Sequence, residues 1–429
     1  MKASFLTLGC KVNQYETGAM EALLRERGHQ VAGDGPADVY VVNTCAVTAE
    51  SGRKSRQAIR RIQRTYPGAL VAVCGCFSQI SPEEVADLGA DLVCGSGDRS
   101  GFVAALERLC AEKAENPRIR IRPPERAFEQ LPAGEILGRT RAFLKIQDGC
   151  DNYCTYCIIP YARGPVRSMP PDAAVKAAFD LRAAGHQELV ITGIEISAYG
   201  KDFGEPDALQ GLITRIGKEV PGLRLRLGSL EPRVVTEPFV HGLAAVPGLC
   251  RHFHLSLQSG CDATLRRMGR RYDTARFLKS IKLLRTRFPN CAITTDLIVG
   301  FPGETEAEFN ETLTFIRKCA FSDMHIFPYS IRPGTRAASM ENQLSKSVKT
   351  ERAAAAEAVS KKMRAAYLSS QMGETLDVLF ERETETGAVG HTDTYLLAFA
   401  PGAARGEVHR VDIMGVSDEI LQGKIITSV

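Results

Sequence analysis

The chain carries little net charge, no long hydrophobic run and no recurring period, and each absence removes a class of protein. The formal charge is +4 over 429 residues, too mild to mark a nucleic-acid binder, so any basic surface must come from local clustering. No apolar run reaches about 18 residues, which argues against a membrane-spanning helix, and no membrane partner is expected. The opening stretch MKASFLTLGCKVNQ lacks the apolar core of a secretory leader and reads as a strand followed by a loop. Without a period of solenoid length, stacked-repeat architectures drop out. Thirteen cysteines are too few and too scattered for a disulfide scaffold, yet more than packing in a cytosolic enzyme requires. The expectation is a cytoplasmic protein of a reducing compartment, its cysteines either thiolate ligands or buried apolar residues.

With 44% hydrophobic residues, the chain is long enough for two or three domains with their own cores. Residues 1–112 alternate strand candidates (Phe5–Leu8, Val39–Asn43, Leu70–Val73, Leu92–Val93) with amphipathic stretches, which implies a parallel α/β domain. Residues 113–140, polar and rich in Arg and Pro, read as a linker. Residues 141–345 alternate six times, with strands at Ala142–Ile146, Glu188–Thr192, Arg224–Leu227, His252–Leu257, Ala292–Val299 and His325–Tyr329. Six β/α units in about 200 residues predict a (β/α)6 partial barrel with chemistry at the carboxyl ends of its strands. A connecting helix over 346–372 leads to residues 373–429, whose short alternating strands and Gly turns predict a small all-β barrel or sandwich.

Cys150, Cys154 and Cys157 stand in the run CDNYCTYC, directly after the first strand of the six-unit block. Three thiolates within eight residues can hold one face of a 4Fe-4S cube and leave the fourth iron open to a small molecule. A structural zinc site would want a fourth Cys or His at close spacing, and none follows. Cys10, Cys45 and Cys76 each follow a predicted strand of the first domain. In a parallel sheet those strand ends share one edge, so the three can meet and bind a second 4Fe-4S cluster. Taken singly, each reads equally as a buried apolar cysteine. Cys74 rivals Cys76, but its place inside the strand points it into the sheet.

The spacing CxxxCxxC after a first barrel strand resembles the radical S-adenosylmethionine superfamily. That resemblance implies that the open iron binds the amino and carboxylate groups of S-adenosylmethionine, and that an electron from the cluster cleaves it to a 5′-deoxyadenosyl radical. It also implies cofactor contacts at the strand ends. Tyr156 precedes the last cysteine; Gly193 and Glu195 end the second strand; Ser229 and Glu231 follow the third; Gln258 and Ser259 end the fourth. Asp296 and Gly300 belong to the fifth, and Tyr329 ends the sixth. Each is also readable as a plain turn or cap. Glu195 stands where His or Asn is expected, and either contacts the amino group of S-adenosylmethionine or faces solvent.

The runs LGCKVNQYET, VVNTCAVT, VCGCFSQ, CDNYCTYCIIPYARGPVRS, LSLQSG, DLIVGFPGET and FPYSIRPGTRA resemble, in order, those of the methylthiotransferases. The final β block resembles the RNA-binding TRAM domain. GCKVNQYET and CIIPYARG are most similar to the branch that acts on N6-threonylcarbamoyladenosine in tRNA. The sister branches, acting on isopentenyladenosine tRNA or on ribosomal protein S12, stay open as alternative readings. The resemblance implies two clusters dividing the work: the amino-terminal one holding the sulfur to be inserted, the central one generating the radical. It also implies a tRNA anticodon loop at position 37 as partner, an electron donor such as flavodoxin or ferredoxin, and a monomer. Arg53, Lys54, Arg56, Arg60, Arg61 and Arg64 on one helix, and Arg266, Arg267, Arg270 and Arg271 in one loop, are candidate phosphate contacts. A reading of another class, an iron–sulfur protein that binds RNA without radical chemistry, predicts no 5′-deoxyadenosine on reduction.

Overall fold

The computed structural model describes residues 1–33, 35–111, 118–132 and 140–428. Three β assemblies follow one another along the chain. The first is a six-stranded parallel sheet in the order Gln30–Ala32, Lys2–Thr7, Val39–Thr44, Leu70–Gly75, Leu92–Cys94, Arg118–Arg120. The strand Val39–Thr44 is buried along its whole length, as a continuous apolar run covered on both faces must be. One face packs Val42 and Val73 under Ile59 and Ile62 of the helix Ala49–Thr65. The other packs Val41 and Ala72 under Met20 and Leu24 of the helix Lys11–Glu26 and Phe102 of the helix Arg99–Ala111.

The stretch read as a linker behaves differently in part. Arg118–Arg120 pairs in parallel with Leu92–Cys94 and extends the sheet, because an edge strand with free backbone groups accepts any short extended segment beside it. Residues 113–117 and 133–139 of that stretch lie outside the described residues.

The second assembly is a parallel, barrel-like sheet in two pieces. Arg224–Leu227, Glu188–Thr192 and Arg141–Lys145 form one; Ser229–Leu230, His252–Gln258, Ala292–Val299 and Asp323–Pro328 form the other. The third of the six expected strands is broken at Gly228, where the chain passes from one piece to the other. Helices Pro171–Ala183, Ala208–Glu219, Glu237–Ala244, Thr274–Arg287 and Glu306–Cys319 alternate with the strands and bury a shared core that includes Leu144, Ile191, Phe253, Leu297 and Ile316. The helix Lys346–Ser369 packs Ala353, Ala356 and Val359 into the same core.

The third assembly is a closed five-stranded barrel, Thr375–Glu383, Gly387–Thr392, Leu397–Pro401, Ile420–Ser428 and Val408–Ser417, and closure leaves no open sheet edge. It docks beside the amino ends of the parallel strands. Arg226 donates to the carbonyls of Thr392 and Asp393, each at 3.0 Å, while also pairing with the fully buried Glu188 at 2.7 Å. Arg141 meets Glu381 at 2.6 Å, and Arg251 meets Asp393 at 2.6 Å. Among the described residues, no helix is long and apolar enough to cross a membrane.

The amino-terminal sheet is fastened to the parallel barrel by buried charge. Glu16, on the helix after Cys10, is fully buried and meets Arg99 at 2.8 Å, Lys145 at 2.8 Å and Arg163 at 2.7 Å. Asp148 takes Lys145 at 2.7 Å, Arg163 at 3.1 Å and Arg167 at 3.2 Å. Burial opposes ionisation of Glu16, but the three cations outweigh it and hold the carboxyl well below its ordinary range. Its contribution is therefore complete above pH ~4.5 and is lost only as pH falls toward the depressed value. Replacing Glu16 by Gln strands the buried Arg99 and leaves Lys145 and Arg163 to share Asp148 alone, so the variant should lose about 3–5 kcal/mol at neutral pH. Denaturant unfolding of the cluster-free protein checks this, and the difference from wild type should shrink in acid.

Candidate active site

The loop after the first barrel strand is bent by a glycine. Gly149 has φ of 72°, and a Cβ there would lie 1.9 Å from the Pro165 carbonyl oxygen, so only glycine lets the loop close on itself. Cys150 N–H then donates to the Gly164 carbonyl at 3.0 Å, and Thr155 N–H to that of Met268 at 2.9 Å. The second contact pins the loop to the turn carrying Arg270, whose Nη1 donates to Cys154 Sγ at 3.2 Å. Burial pushes the Cys150 thiol up to about 11 and the Cys157 thiol up to about 12, with charge on Cys154 adding to both. As free thiols they stay protonated near neutrality, so metal binding must expel protons.

Glu195 lies beside this loop and not out in solvent. Its N–H donates to Gln147 Oε1 at 2.8 Å. Burial raises its carboxyl to about 7, with Arg270 opposing and Glu231 reinforcing the rise. Gly193 packs against Gln147, where a Cβ would come within 2.9 Å of Oε1. Glu231 is held by Arg233 at 2.7 Å, and Ser229 is exposed. Gln258 takes a φ of 68° at the end of its strand, while the Ser259 hydroxyl is used within its own turn, accepting from Cys261 N–H at 3.2 Å. Tyr156 meets Phe301 edge-on at 6.4 Å, and Phe301 meets Tyr329 at 5.2 Å. Gly300 donates its N–H to Glu304 at 2.7 Å. Asp296 sits part-way down its strand, between His254 and His325.

Cys10, Cys45 and Cys76 follow the parallel strands ending at Thr7, Thr44 and Gly75, and they converge. A Cβ on Gly9 would lie 2.8 Å from Cys45 Sγ, so the Cys45 thiol rests against the turn that carries Cys10. Charge on Cys45 bears on Cys10, charge on Cys76 on Cys45, and charge on Cys10 on Cys76. Arg163 Nε donates to Cys76 Sγ at 3.3 Å. Cys74 belongs instead to the core of the opposite sheet face, with Met20 and Phe102.

The two thiol triplets therefore share one design. Each gathers three soft donors, and each places a guanidinium on one sulfur. Hydrogen bonds and positive charge at the sulfurs stabilise an anionic thiolate-bound cluster, so both donor sets fit an iron–sulfur group with one open position. Arg163 escaped notice in the sequence; its only signal was its place in the run CIIPYARG, six residues past Cys157. Arg270, grouped by sequence with phosphate contacts, turns inward to Cys154 and Tyr272.

The remaining basic candidates divide. Arg53 and Lys54 lie beside Glu50, Arg56 meets Glu84 at 3.1 Å, and Arg267 is held by Glu308 at 2.6 Å. Arg60, Arg61, Arg64 and Arg271 are exposed.

Comparison with known proteins follows this geometry. Residues 144–316 match the radical SAM superfamily, and residues 2–95 match an uncharacterized protein family, UPF0004. The chain is 38% identical over 436 residues to the threonylcarbamoyladenosine tRNA methylthiotransferase MtaB of Bacillus subtilis, covering 99% of this chain and 96% of the relative. It is 32% identical to a tRNA-2-methylthio-N(6)-dimethylallyladenosine synthase of Pelotomaculum thermopropionicum, covering 90% and 88%. Among solved structures, the radical S-adenosylmethionine methyltransferase TsrM of Kitasatospora setae shares the fold, with a TM-score of 0.60, 16% identity and coverage of 79% and 77%. The chain thus belongs to the methylthiotransferase family of radical S-adenosylmethionine enzymes.

Proposed function

We propose that this enzyme inserts a methylthio group at C2 of N6-threonylcarbamoyladenosine at position 37 of tRNA, using two 4Fe-4S clusters and S-adenosylmethionine. The observation that carries the reading is the pair of thiol triplets, each with a guanidinium on one sulfur, in two halves joined by the buried Glu16–Arg163 contact. Cys150, Cys154 and Cys157 would hold the central cluster, and Cys10, Cys45 and Cys76 the second. Bound there, the clusters and S-adenosylmethionine supply one-electron chemistry able to break an unactivated C–H bond, which acid–base side chains cannot do. The chain's own residues do the rest. Arg163 and Arg270 offset thiolate charge, the Glu195 carboxylate suits the amino group of S-adenosylmethionine, and the joined halves exclude water from the reacting atoms.

The branch assignment is supported by the 38% identity to a threonylcarbamoyladenosine enzyme against 32% to a dimethylallyladenosine one. Residues 1–112, 141–345 and 373–429 are read as the sulfur-donating, radical and TRAM-like RNA-gripping domains. Arg60, Arg61, Arg64, Arg266 and Arg271 are exposed cations available to phosphate.

Anaerobic protein with verified clusters, incubated with reductant, S-adenosylmethionine and tRNA bearing threonylcarbamoyladenosine, should yield the methylthio nucleoside by mass spectrometry. Cys154→Ala should abolish both that product and 5′-deoxyadenosine. Cys45→Ala should keep 5′-deoxyadenosine but lose the product; a wild-type rate of product would remove the second cluster from the reading. Replacing Arg60, Arg61 and Arg64 together by Gln should weaken tRNA binding and flatten the log K against log salt slope by about 2–3.

A further inference from the structure

The barrel lumen holds a second concentration of polar groups that neither cluster uses. A cavity of about 290 Å³ lies between the strands, with Lys11, Arg226, His254, Asp296, His325 and Tyr395 on its wall. Asp296 is its hub: His254 Nε2 lies 3.3 Å from one carboxylate oxygen and His325 Nδ1 3.1 Å from the other. Burial pushes the Asp296 carboxyl up, but the two imidazoles outweigh this and keep it ionised. His254 is fixed from behind by Thr294 Oγ1, 3.0 Å from its Nδ1. Both oxygens of the carboxylate are thus engaged by imidazoles, and the trio is satisfied as a hydrogen-bonded network without an ion.

The hydrogen bond to Asp296 raises His325 above its ordinary value, and His325 Nε2 has no hydrogen-bond partner among the described residues. Lys11, the residue after Cys10, is exposed and has no ion-pair partner among the described residues. Its charge nevertheless bears on both His325 and His252, so its ammonium reaches the same cavity. The other cations there are spent, Arg226 on Glu188 and Arg141 on Glu381. One unspent cation, Lys11, and the outward nitrogen of the Asp296-bound His325, one from each half of the molecule, therefore face one cavity beside a proposed cluster ligand.

A threonylcarbamoyl substituent ends in a free carboxylate, whereas a dimethylallyl substituent is uncharged and apolar. We propose that Lys11 and His325 bind the carboxylate of the amino-acid side chain on the substrate base, and that this contact selects the substrate branch. The inference rests on the substrate reading above. A site built around polar partners rejects an analogue lacking them, because its own groups are then left unpaired.

The test compares cluster-loaded wild type with Lys11→Met, Lys11→Arg and His325→Gln, using one tRNA prepared with threonylcarbamoyladenosine or with plain adenosine at position 37. Equilibrium binding of both tRNAs is measured, and KM and kcat for the modified one. Wild type should bind the modified tRNA more tightly. Lys11→Met should raise its KM tenfold or more and erase the preference, His325→Gln should act in the same direction, and Lys11→Arg should restore most of it. Preference kept within twofold in both Lys11→Met and His325→Gln overturns the proposal, as does equal weakening toward both tRNAs, which would make Lys11 a phosphate contact. Wild type that forms no methylthio product on the modified tRNA would instead bring down the substrate reading, and the carboxylate contact with it.

Discussion

Glu16 is a carboxylate with no access to water, and the relative placement of the two halves depends on satisfying it. It lies one helical stretch beyond Cys10 and is met by Arg99 from its own half and by Lys145 and Arg163 from the barrel. An isolated buried charge would cost many kcal/mol, so the halves reach low energy only when these side chains are in register. Arg163 carries the constraint onward, because the guanidinium that answers Glu16 and Asp148 also donates to Cys76. Domain placement and the electrostatics of the amino-terminal thiols are thereby set by one side chain.

Four cations meet two carboxylates in that network, Arg99, Lys145, Arg163 and Arg167 against Glu16 and Asp148. The surplus positive charge stands beside Cys76, where a cluster-bound thiolate would balance it. At the central loop the same logic is repeated on a smaller scale by Arg270. Its guanidinium lies 4.8 Å from the Tyr272 ring centre and its Nε donates to the Tyr272 hydroxyl at 3.0 Å, which holds the cation in place.

Much of this architecture was legible in the chain. Continuous apolar runs such as Val39–Thr44 mark strands buried on both faces, and the glycine before Cys10, Cys76 and Cys150 marks a strand end. Local patterns carry that kind of information. The inward turn of Arg270 was not legible, because among four nearby arginines nothing local distinguishes the one that meets a cysteine 116 residues away. Lys145 carries no local mark either: its partner Glu16 lies 129 residues back. The break of the third barrel strand at Gly228 and the added edge strand Arg118–Arg120 likewise depend on what the rest of the sheet offers, not on their own composition.

The buried fastening between the halves has a consequence for turnover. Swinging the amino-terminal half away would pull Arg163 from Glu16 and expose or strand several ions, at a cost of several kcal/mol. It is a fixed wall, not a hinged door. On the proposed function, the substrate base then comes to the reacting centre by leaving its own stack, which puts the gate of the catalytic cycle in the nucleic acid and spares the protein a large motion.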